Sequence, residues 1–393
     1  MRSKISRVVT LLAALAQVGS GALGDSADSG LHATEKTGVK ELVFVGGYSS
    51  KEAPGIQVAD FEPATGRLSR LRLAAEITNP SFLALGRDGK ALYAVSEVGA
   101  AAGRSGGLVN AYSIDRSTGN LHLISSVGTE GGAPCHVSLD ISGRCLFVAN
   151  YGGGSTVSYT LGADGAIESR ASFVQHEQRA GHRPDRQEGP HAHGVHPDPA
   201  SRFLLVPDLG LDRVQVYRFS SASAELTLQN HAELPAGAGP RHLAFHPTLS
   251  VAYVINELDS TISTMAWNGR EGTLHPLERV STLPDDFTGS NTTAEIMVHP
   301  SGRFLYGSNR GHDSIAVFGI REHRGTLHPL GHASSGGKTP RFFTLDPSGR
   351  WLLTANQQTG NLVVFPLNPD TGMPGPGLPP LITPSPTCLV FVP

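Results

Sequence analysis

The chain repeats one pattern of apolar and polar positions. Each copy has a short apolar run, a turn rich in Pro, Asp and Gly, and then an alternating run such as "FLYGSN" at 304–309. A third run, such as "SIAVFGI" at 314–320, and a weaker fourth run, such as "GTLHPL" from Gly325, follow. Alternation of this kind over four to eight residues is typical of half-buried β-strands. Each copy therefore predicts four short antiparallel strands.

Six copies of the pattern align along the chain. They begin at Asn79, Ala133, Gly189, Gly239, Thr292 and Thr339. Four antiparallel strands that recur about every 50 residues are typical of a β-propeller blade. A seventh blade comes from the two ends, because "ELVFVGGY" from Glu41 lacks a preceding first strand and "TCLVFV" from Thr387 is a first strand with nothing after it. We expect an all-β, seven-bladed β-propeller of four-stranded antiparallel blades, closed by pairing of the N- and C-terminal strands, which removes open edges from the ring.

The first 40 residues differ from the repeats. Arg2, Lys4 and Arg7 precede an apolar run of about a dozen residues, and small residues follow at Ala22 and Gly24, an order typical of a secretory signal peptide. A frayed N-terminal helix is the alternative, since the apolar run is too short to span a bilayer. We expect a signal peptide over 1–24, a linker over 25–40, the propeller over 41–393, and an exported protein, periplasmic or secreted.

The net charge of the chain limits the kinds of partner it can bind. The net charge is −3 and no basic run occurs, so neither nucleic acid nor an anionic membrane is expected as the main partner. We expect a small-molecule ligand and a monomer or weak dimer.

Three cysteines are too few for a disulfide-built scaffold. One bridge between Cys135 and Cys145 stays open, because the sequence does not fix the strand register.

The aligned copies differ chemically at two positions. Six residues before the proline that follows the first strand, four copies carry His191, Arg241, Ala294 and Arg341. Directly after the second strand, six copies carry Glu97, Tyr151, Leu209, Glu257, Arg310 and Gln357. First strands line the central channel of a propeller, so these side chains are expected at one mouth of the channel. The candidate functional set is His191, Arg241, Glu257, Arg310 and Arg341.

Other polar residues have a structural explanation. His246 and His299 occupy the same turn in different copies, and an Asn recurs at the end of the second strand, so both types are expected to stabilise turns. His191, His193 and His196 invite a zinc site by their spacing. Alternation along a strand, however, sends His196 to the opposite side from the other two. We expect no metal and no cofactor.

Four segments resemble the β-propeller lactonases, which include bacterial 6-phosphogluconolactonase and the carboxy-muconate lactonizing enzymes. They are "RPDRQEGPHAHGVHPD", "GAGPRHLAFHP", "AYVINELDSTI" and "GRFLYGSNRGHDSIAVF". The resemblance implies an active site of one His, two Arg and one Glu, which fall on His191, Arg241, Glu257 and Arg310. His193 faces the same way as His191, so either histidine can take the role. We expect His193, Arg341, His136 and Glu295 to bind the substrate.

Hydrolysis of a sugar lactone suits these residues. A histidine or glutamate with a near-neutral pKa can take a proton from the attacking water, and an arginine can stabilise the oxyanion. A second arginine can hold a carboxylate or phosphate. Two alternatives stay open: lactone formation from an unsaturated acid, and a non-catalytic binding propeller in the cell envelope. The phosphorylated substrate belongs to the cytosol whereas the chain is expected to be exported, so the exact lactone also stays open.

Overall fold

A computed structural model describes residues 40–99, 106–177 and 181–393. Within these ranges the chain forms seven antiparallel sheets. The predicted signal peptide and all of the predicted linker except Lys40 lie outside the described residues. No helix in the described ranges is long and apolar enough to cross a membrane.

The strands follow one another around the ring, and the first four lack a preceding first strand. They are β1 (Glu41–Gly47), β2 (Gly55–Glu62), β3 (Arg67–Leu68) and β4 (Arg72–Glu76). Blade 1 contains β5 (Leu83–Leu85), β6 (Ala91–Ser96), β7 (Leu108–Ile114) and β8 (Leu121–Gly128). Blade 2 contains β9 (Pro134–Leu139), β10 (Cys145–Asn150), β11 (Ser155–Leu161) and β12 (Ile167–Gln175). Blade 3 contains β13 (His196–Pro197), β14 (Phe203–Asp208), β15 (Arg213–Phe219) and β16 (Leu226–Glu233).

The second half of the ring repeats this order. Blade 4 contains β17 (Pro240–Phe245), β18 (Val251–Asn256), β19 (Thr261–Asn268) and β20 (Thr273–Ser281). Blade 5 contains β21 (Thr292–Val298), β22 (Phe304–Arg310), β23 (Ser314–Ile320) and β24 (Leu327–Ser334). Blade 6 contains β25 (Pro340–Leu345), β26 (Trp351–Asn356), β27 (Asn361–Pro366) and β28 (Leu381–Ile382). The last strand is β29 (Pro386–Val392).

Blade 7 closes the ring. β29 pairs antiparallel with β1, so that Val43 lies opposite Phe391 and Val45 opposite Leu389. β2 then pairs with β3 and β4 in the same sheet. The predicted seven-bladed propeller and its closure by the two ends of the chain are confirmed.

Burial explains the sequence pattern of each blade. Every residue of the second strands β6, β10, β14 and β18 is buried, because neighbouring blades cover both faces of the sheet. These strands therefore read as continuous apolar runs such as "FLLVPD" at 203–208. The fourth strands form the outer edge and are mostly exposed or partly buried, as in β8, where Leu121 alone is buried.

β-bulges protect the outer edges. Register shifts interrupt the pairing of β7 with β8, β11 with β12, β15 with β16, β19 with β20 and β23 with β24. A bulge bends an edge strand and makes it a poor template for pairing with another chain. The bulges therefore reduce edge-to-edge pairing of these five blades with other molecules.

The turn histidines connect neighbouring blades. His246 Nε2 lies 2.9 Å from the carbonyl of Gly302, and its Nδ1 accepts a hydrogen bond from the amide of Leu249 at 2.9 Å. His299 repeats the first contact with the carbonyl of Gly349 at 2.9 Å. The predicted structural role of both histidines is confirmed.

The three cysteines are buried and free, so the bridge between Cys135 and Cys145 that the sequence left open does not form. The register pairs Leu146 of β10 with Leu139 of β9. Cys135 and Cys145 therefore lie toward opposite ends of the two strands, too far apart for the short reach of a disulfide.

Candidate active site

Bulges in the first strands bring the site residues into the channel. The pairing of β17 with β18 shifts between Pro240 and His242, and that of β25 with β26 shifts between Pro340 and Phe342. The extra residues are Arg241 and Arg341. A bulge breaks alternation and re-aims side chains, which is why bulges are common beside active sites.

Glu257 is the centre of an arginine cluster. Its carboxylate lies 3.1 Å from Arg241 Nε, 2.9 Å from Arg310 Nη2 and 2.6 Å from Arg186 Nη2. The side chains of Glu257 and Arg241 are each only 4% exposed. Glu257 directly follows β18 and Arg310 ends β22, so two neighbouring blades position two opposite charges at the same mouth.

Arg186 belongs to this cluster although the sequence did not single it out. It lies in the connection between blades 2 and 3, and its Nη2 also lies 3.4 Å from the hydroxyl of Tyr151. The residue has no counterpart in the aligned copies, because the connection carries none of the repeat. Its place within "RPDRQEGPHAHGVHPD" was the available signal.

The arginines keep Glu257 ionised. Burial raises the pKa of its carboxyl, but Arg310, Arg241 and Arg186 outweigh burial and hold that pKa at about 2. A carboxylate with so low a pKa is a poor proton acceptor at neutral pH. This low pKa argues against Glu257 as the group that takes the proton from water, and its contacts suit it to orient the arginines.

The arginines also crowd one another. Burial, followed by the charges of Arg310 and Arg341, lowers the pKa of Arg241 to about 10. Arg241 thus stays charged at neutral pH. The Nε of Arg310 is buried without a hydrogen-bond partner among the described residues. The cluster has donor capacity that the protein itself does not use.

His191 lies at the channel mouth against Tyr151. The two rings stack with centroids 4.5 Å apart, and His191 Nδ1 lies 3.0 Å from the Tyr151 carbonyl oxygen. A carbonyl oxygen only accepts, so Nδ1 of His191 donates this hydrogen bond. Nε2 faces the carboxylate of Glu188, whose Oε1 lies 3.1 Å away. Tyr151 was expected at the channel mouth but not among the candidate functional residues, and the sequence did not single out Glu188.

His193 lies on the same side as His191, as expected, since its ring also contacts Tyr151, with centroids 5.2 Å apart. Its Nε2 lies 3.9 Å from Glu257 Oε2 and its Nδ1 lies 3.7 Å from the sulfur of Cys135. Burial, and then the charge of Arg241, lower the pKa of His193 well below its usual value. His193 is thus a neutral ring within the site.

A second layer of histidines fills the channel. The ring centroid of His136 lies 4.9 Å from that of His196 and 4.9 Å from that of His242. The prediction that His196 points away is wrong, because only His196–Pro197 of this segment is regular strand and alternation does not hold before it. His242 was missed because a bulge precedes it. The described residues form no cluster of three or more potential ligands that could hold a metal.

Glu295 belongs to this second layer. Its Oε2 lies 3.0 Å from His242 Nδ1, and its Oε1 accepts a hydrogen bond from the amide of Ile296 at 3.0 Å. Burial raises the pKa of the Glu295 carboxyl, and although the Arg241 charge opposes this, the pKa reaches about 7. Glu295, rather than Glu257, is the carboxyl that titrates near neutral pH.

Arg341 joins the site from blade 6. Its Nη2 donates to the hydroxyl of Tyr48 at 3.2 Å, and that hydroxyl donates to Glu97 Oε1 at 2.9 Å. The structure thus brings His191, His193, Arg241, Glu257 and Arg310 together, with Arg341 beside them and His136 and Glu295 in the second layer.

A cavity of about 500 Å³ adjoins the arginine cluster. Its lining includes Arg183, Arg186, Asn291 and Arg310. Arg186 and Arg310 therefore line both the cavity and the Glu257 cluster. A ligand group in this cavity would meet several guanidinium groups at once.

The family model described as "Lactonase, 7-bladed beta-propeller" matches residues 42–391. The chain belongs to this lactonase family. Among its relatives, the 6-phosphogluconolactonase of Bacillus subtilis is 35% identical over 333 residues, which cover 85% of this chain and 93% of the relative. The 6-phosphogluconolactonase of Formosa agariphila is 34% identical over 84% of this chain and 93% of the relative.

Solved structures of similar lactonases share the fold. The periplasmic gluconolactonase of Pseudomonas aeruginosa superposes with a TM-score of 0.84 at 33% identity, over 90% of this chain and 99% of its own. A protein from Bacteroides fragilis described as a putative 6-phosphogluconolactonase gives a TM-score of 0.82 at 29% identity, over 90% of this chain and 98% of its own. Because the chain belongs to a lactonase family and its relatives are named lactonases, it is an enzyme, a lactonase. The alternative of a non-catalytic binding propeller is therefore excluded.

Proposed function

We propose that this lactonase hydrolyses an aldonolactone, with 6-phospho-D-glucono-1,5-lactone or its unphosphorylated counterpart as substrate, and that it needs no metal. The observation that carries the proposal is the convergence of Arg186, Arg241 and Arg310 on the single carboxylate of Glu257. Two relatives are named 6-phosphogluconolactonases and one structural neighbour a gluconolactonase, which supports a sugar lactone.

The charge balance of the cluster favours an anionic ligand or intermediate. Three guanidinium groups face one carboxylate, and Arg341 adds a further positive charge nearby. Arg310 Nε has no hydrogen-bond partner among the residues described. In a buried site such an excess of positive charge stabilises a negative charge that develops during reaction. Guanidinium groups also bind phosphate or carboxylate oxygens in pairs.

The mechanism begins with water attacking the lactone carbonyl carbon. Nε2 of His191 takes the proton that the water gives up. Arg241 and Arg310 stabilise the oxyanion of the tetrahedral intermediate, and Glu257 holds both arginines in place. When the intermediate collapses, the ring carbon–oxygen bond breaks and the proton on His191 passes to the ring oxygen, which becomes the hydroxyl of the open acid. His193 borders the same space and is assigned to substrate binding.

Arginines provide the charge stabilisation in this scheme, so a metal has no step to perform. The proposal therefore predicts that dialysis against a chelator leaves kcat/KM unchanged. A loss of activity that zinc or magnesium restores would contradict it.

Export is part of the proposal and bears on the substrate. It is supported by the charged, apolar and small-residue order of 1–24 and by the periplasmic location named for one structural neighbour. An exported enzyme would meet an unphosphorylated lactone. N-terminal sequencing of protein from an envelope fraction distinguishes export from a cytoplasmic location. A chain that starts near Asp25 supports export. An intact Met1 in the cytoplasm favours the phosphorylated substrate.

A lactone panel with matched arginine variants tests the function. Ring opening of glucono-1,5-lactone, its 6-phosphate and smaller lactones is followed at a pH where spontaneous hydrolysis is slow. Arg310→Ala is expected to lower kcat/KM on the best lactone by about 100- to 1000-fold, the usual effect of losing one oxyanion donor. Arg303→Ala is the control, because the Arg303 side chain donates to the carbonyls of Pro369 and Asp370 and lies over the Phe304 ring, without contacting Glu257. Equal effects of the two substitutions would refute the assignment.

A further inference from the structure

Glu97 occupies the same place in blade 1 that Glu257 occupies in blade 4. Glu97 directly follows β6, as Glu257 directly follows β18. No arginine or lysine among the described residues lies within ion-pair distance of Glu97. Instead its Oε1 accepts the hydrogen bond from the Tyr48 hydroxyl, which in turn accepts one from Arg341. The Tyr48 hydroxyl thus gives its single proton to Glu97 and fixes the orientation of that carboxylate.

The second carboxylate oxygen of Glu97 is not used in this hydrogen-bond chain. Oε2 is buried and lacks a hydrogen-bond partner in the part of the chain that the structure describes. The same holds for the hydroxyl of Ser81, a residue only 4% exposed. Buried polar atoms are nearly always paired, and leaving them unpaired is costly. Two unpaired atoms therefore indicate a missing polar group.

Glu97 and Ser81 line the same small cavity, together with Arg241 and Arg341. Its volume is about 10 Å³, which is room for one group of the size of a water molecule. A hydroxyl group has this size. It can donate to Glu97 Oε2 and accept from the Ser81 hydroxyl at the same time.

We propose that this cavity is a hydroxyl subsite, in which Glu97 and Ser81 bind one hydroxyl group of a polyhydroxylated lactone. The inference rests on the proposed lactonase function and deepens it, because it names the residues that distinguish a sugar lactone from a plain cyclic ester. Arg241 connects the two sites: it lines the cavity and contacts Glu257. The bound hydroxyl therefore lies close to the reacting carbonyl.

The expected effect is a change in specificity rather than in general activity. A hydrogen bond to a charged group discriminates by about 10- to 100-fold. Wild-type enzyme is therefore expected to prefer glucono-1,5-lactone, in the phosphorylation state that the panel favours, over δ-valerolactone, which has the same ring without hydroxyls. Glu97→Gln keeps an acceptor for Tyr48 but places a neutral amide in the subsite.

The experiment measures kcat/KM on both lactones for wild type, Glu97→Gln and Ser81→Ala. In Glu97→Gln the preference for the sugar lactone is expected to fall by about 10- to 100-fold, while kcat/KM on δ-valerolactone changes less than about threefold. Ser81→Ala is the smaller change and is expected to act in the same direction. Glu130→Gln is the control, because Glu130 pairs with Arg170 on the surface and its loss is expected to change neither rate.

Three results bear on the proposal. An unchanged preference in both variants overturns it and leaves the cavity as the place of a structural water only. An equal fall on both lactones also overturns it, because a merely structural role affects both rates alike. If the wild-type enzyme opens no lactone, the proposed function itself fails. This result is distinguishable from a failure of the subsite proposal, because it is seen in the wild-type protein and not in a comparison of variants.

Discussion

Replacing the carboxylate at the centre of the arginine cluster gives the strongest test of the electrostatic account. Glu257→Gln removes one negative charge and leaves Arg186, Arg241 and Arg310 facing each other in a buried site. The arginines lower the pKa of Glu257 from an ordinary 4.5 to about 2, which corresponds to about 3 kcal/mol of stabilisation of the charged form. Removing one partner of a buried ion pair typically costs about 3–5 kcal/mol. We expect the free energy of unfolding at pH 7 to fall by that amount.

The pH dependence follows from the direction of the shift. Because the pKa of Glu257 is lower in the folded protein than in the unfolded chain, its stabilisation is complete above about pH 4.5 and is lost as the pH falls toward 2. The stability difference between wild type and Glu257→Gln is therefore expected to be constant between pH 5 and 7. This difference in the free energy of unfolding should become smaller below pH 4.5.

Urea unfolding followed by tryptophan fluorescence measures this difference, since one of the two tryptophans, Trp267, is buried in the core. Glu130→Gln is the surface control, and because its side chain is 47% exposed we expect a loss of no more than about 1 kcal/mol. A Glu257→Gln variant that loses less than the control, or a difference that does not narrow at low pH, would refute the reasoning.

Three further predictions concern separate features. His246→Ala should lower the melting temperature, because it removes the contact with the Gly302 carbonyl, while the kcat of folded protein stays within about twofold; a lost kcat would place His246 in the site. A chain that ends before Ser385 lacks β29 and should be far more sensitive to trypsin, because β1 becomes an open edge; unchanged resistance would contradict the closure. Arg186→Gln should raise KM more for a phosphorylated lactone than for its neutral counterpart, and an equal rise would exclude phosphate binding by Arg186.

The histidines show that one scaffold uses the same residue type in two ways. His246 and His299 bond a carbonyl in the next blade and are part of the repeat. His191 and His193 lie just before β13, where the first strand of blade 3 is irregular. A channel-mouth side chain is not needed for blade packing, so it can change without loss of the fold. The proposed active site therefore lies where the copies differ.

The sequence by itself determined the architecture. Apolar runs recur at regular spacing, and the incomplete blades at the two ends, "ELVFVGGY" and "TCLVFV", complement each other. These signals are local and periodic, so they can be read without knowing which residues meet in space. Comparison of the copies also identified Arg241, Glu257 and Arg310, because each side chain occupies a defined place in its blade.

Only the tertiary structure decided how the site is assembled. Arg186 reaches Glu257 from a connection outside the repeat, and His242 and His196 enter the channel because a bulge and an irregular segment break the alternation on which the sequence argument relied. The low pKa of Glu257, which argues against a proton-accepting role for this residue, has a related cause. A pKa depends on the distances to charges on other blades and on burial, and those distances are set by the packing of blades far apart in the chain.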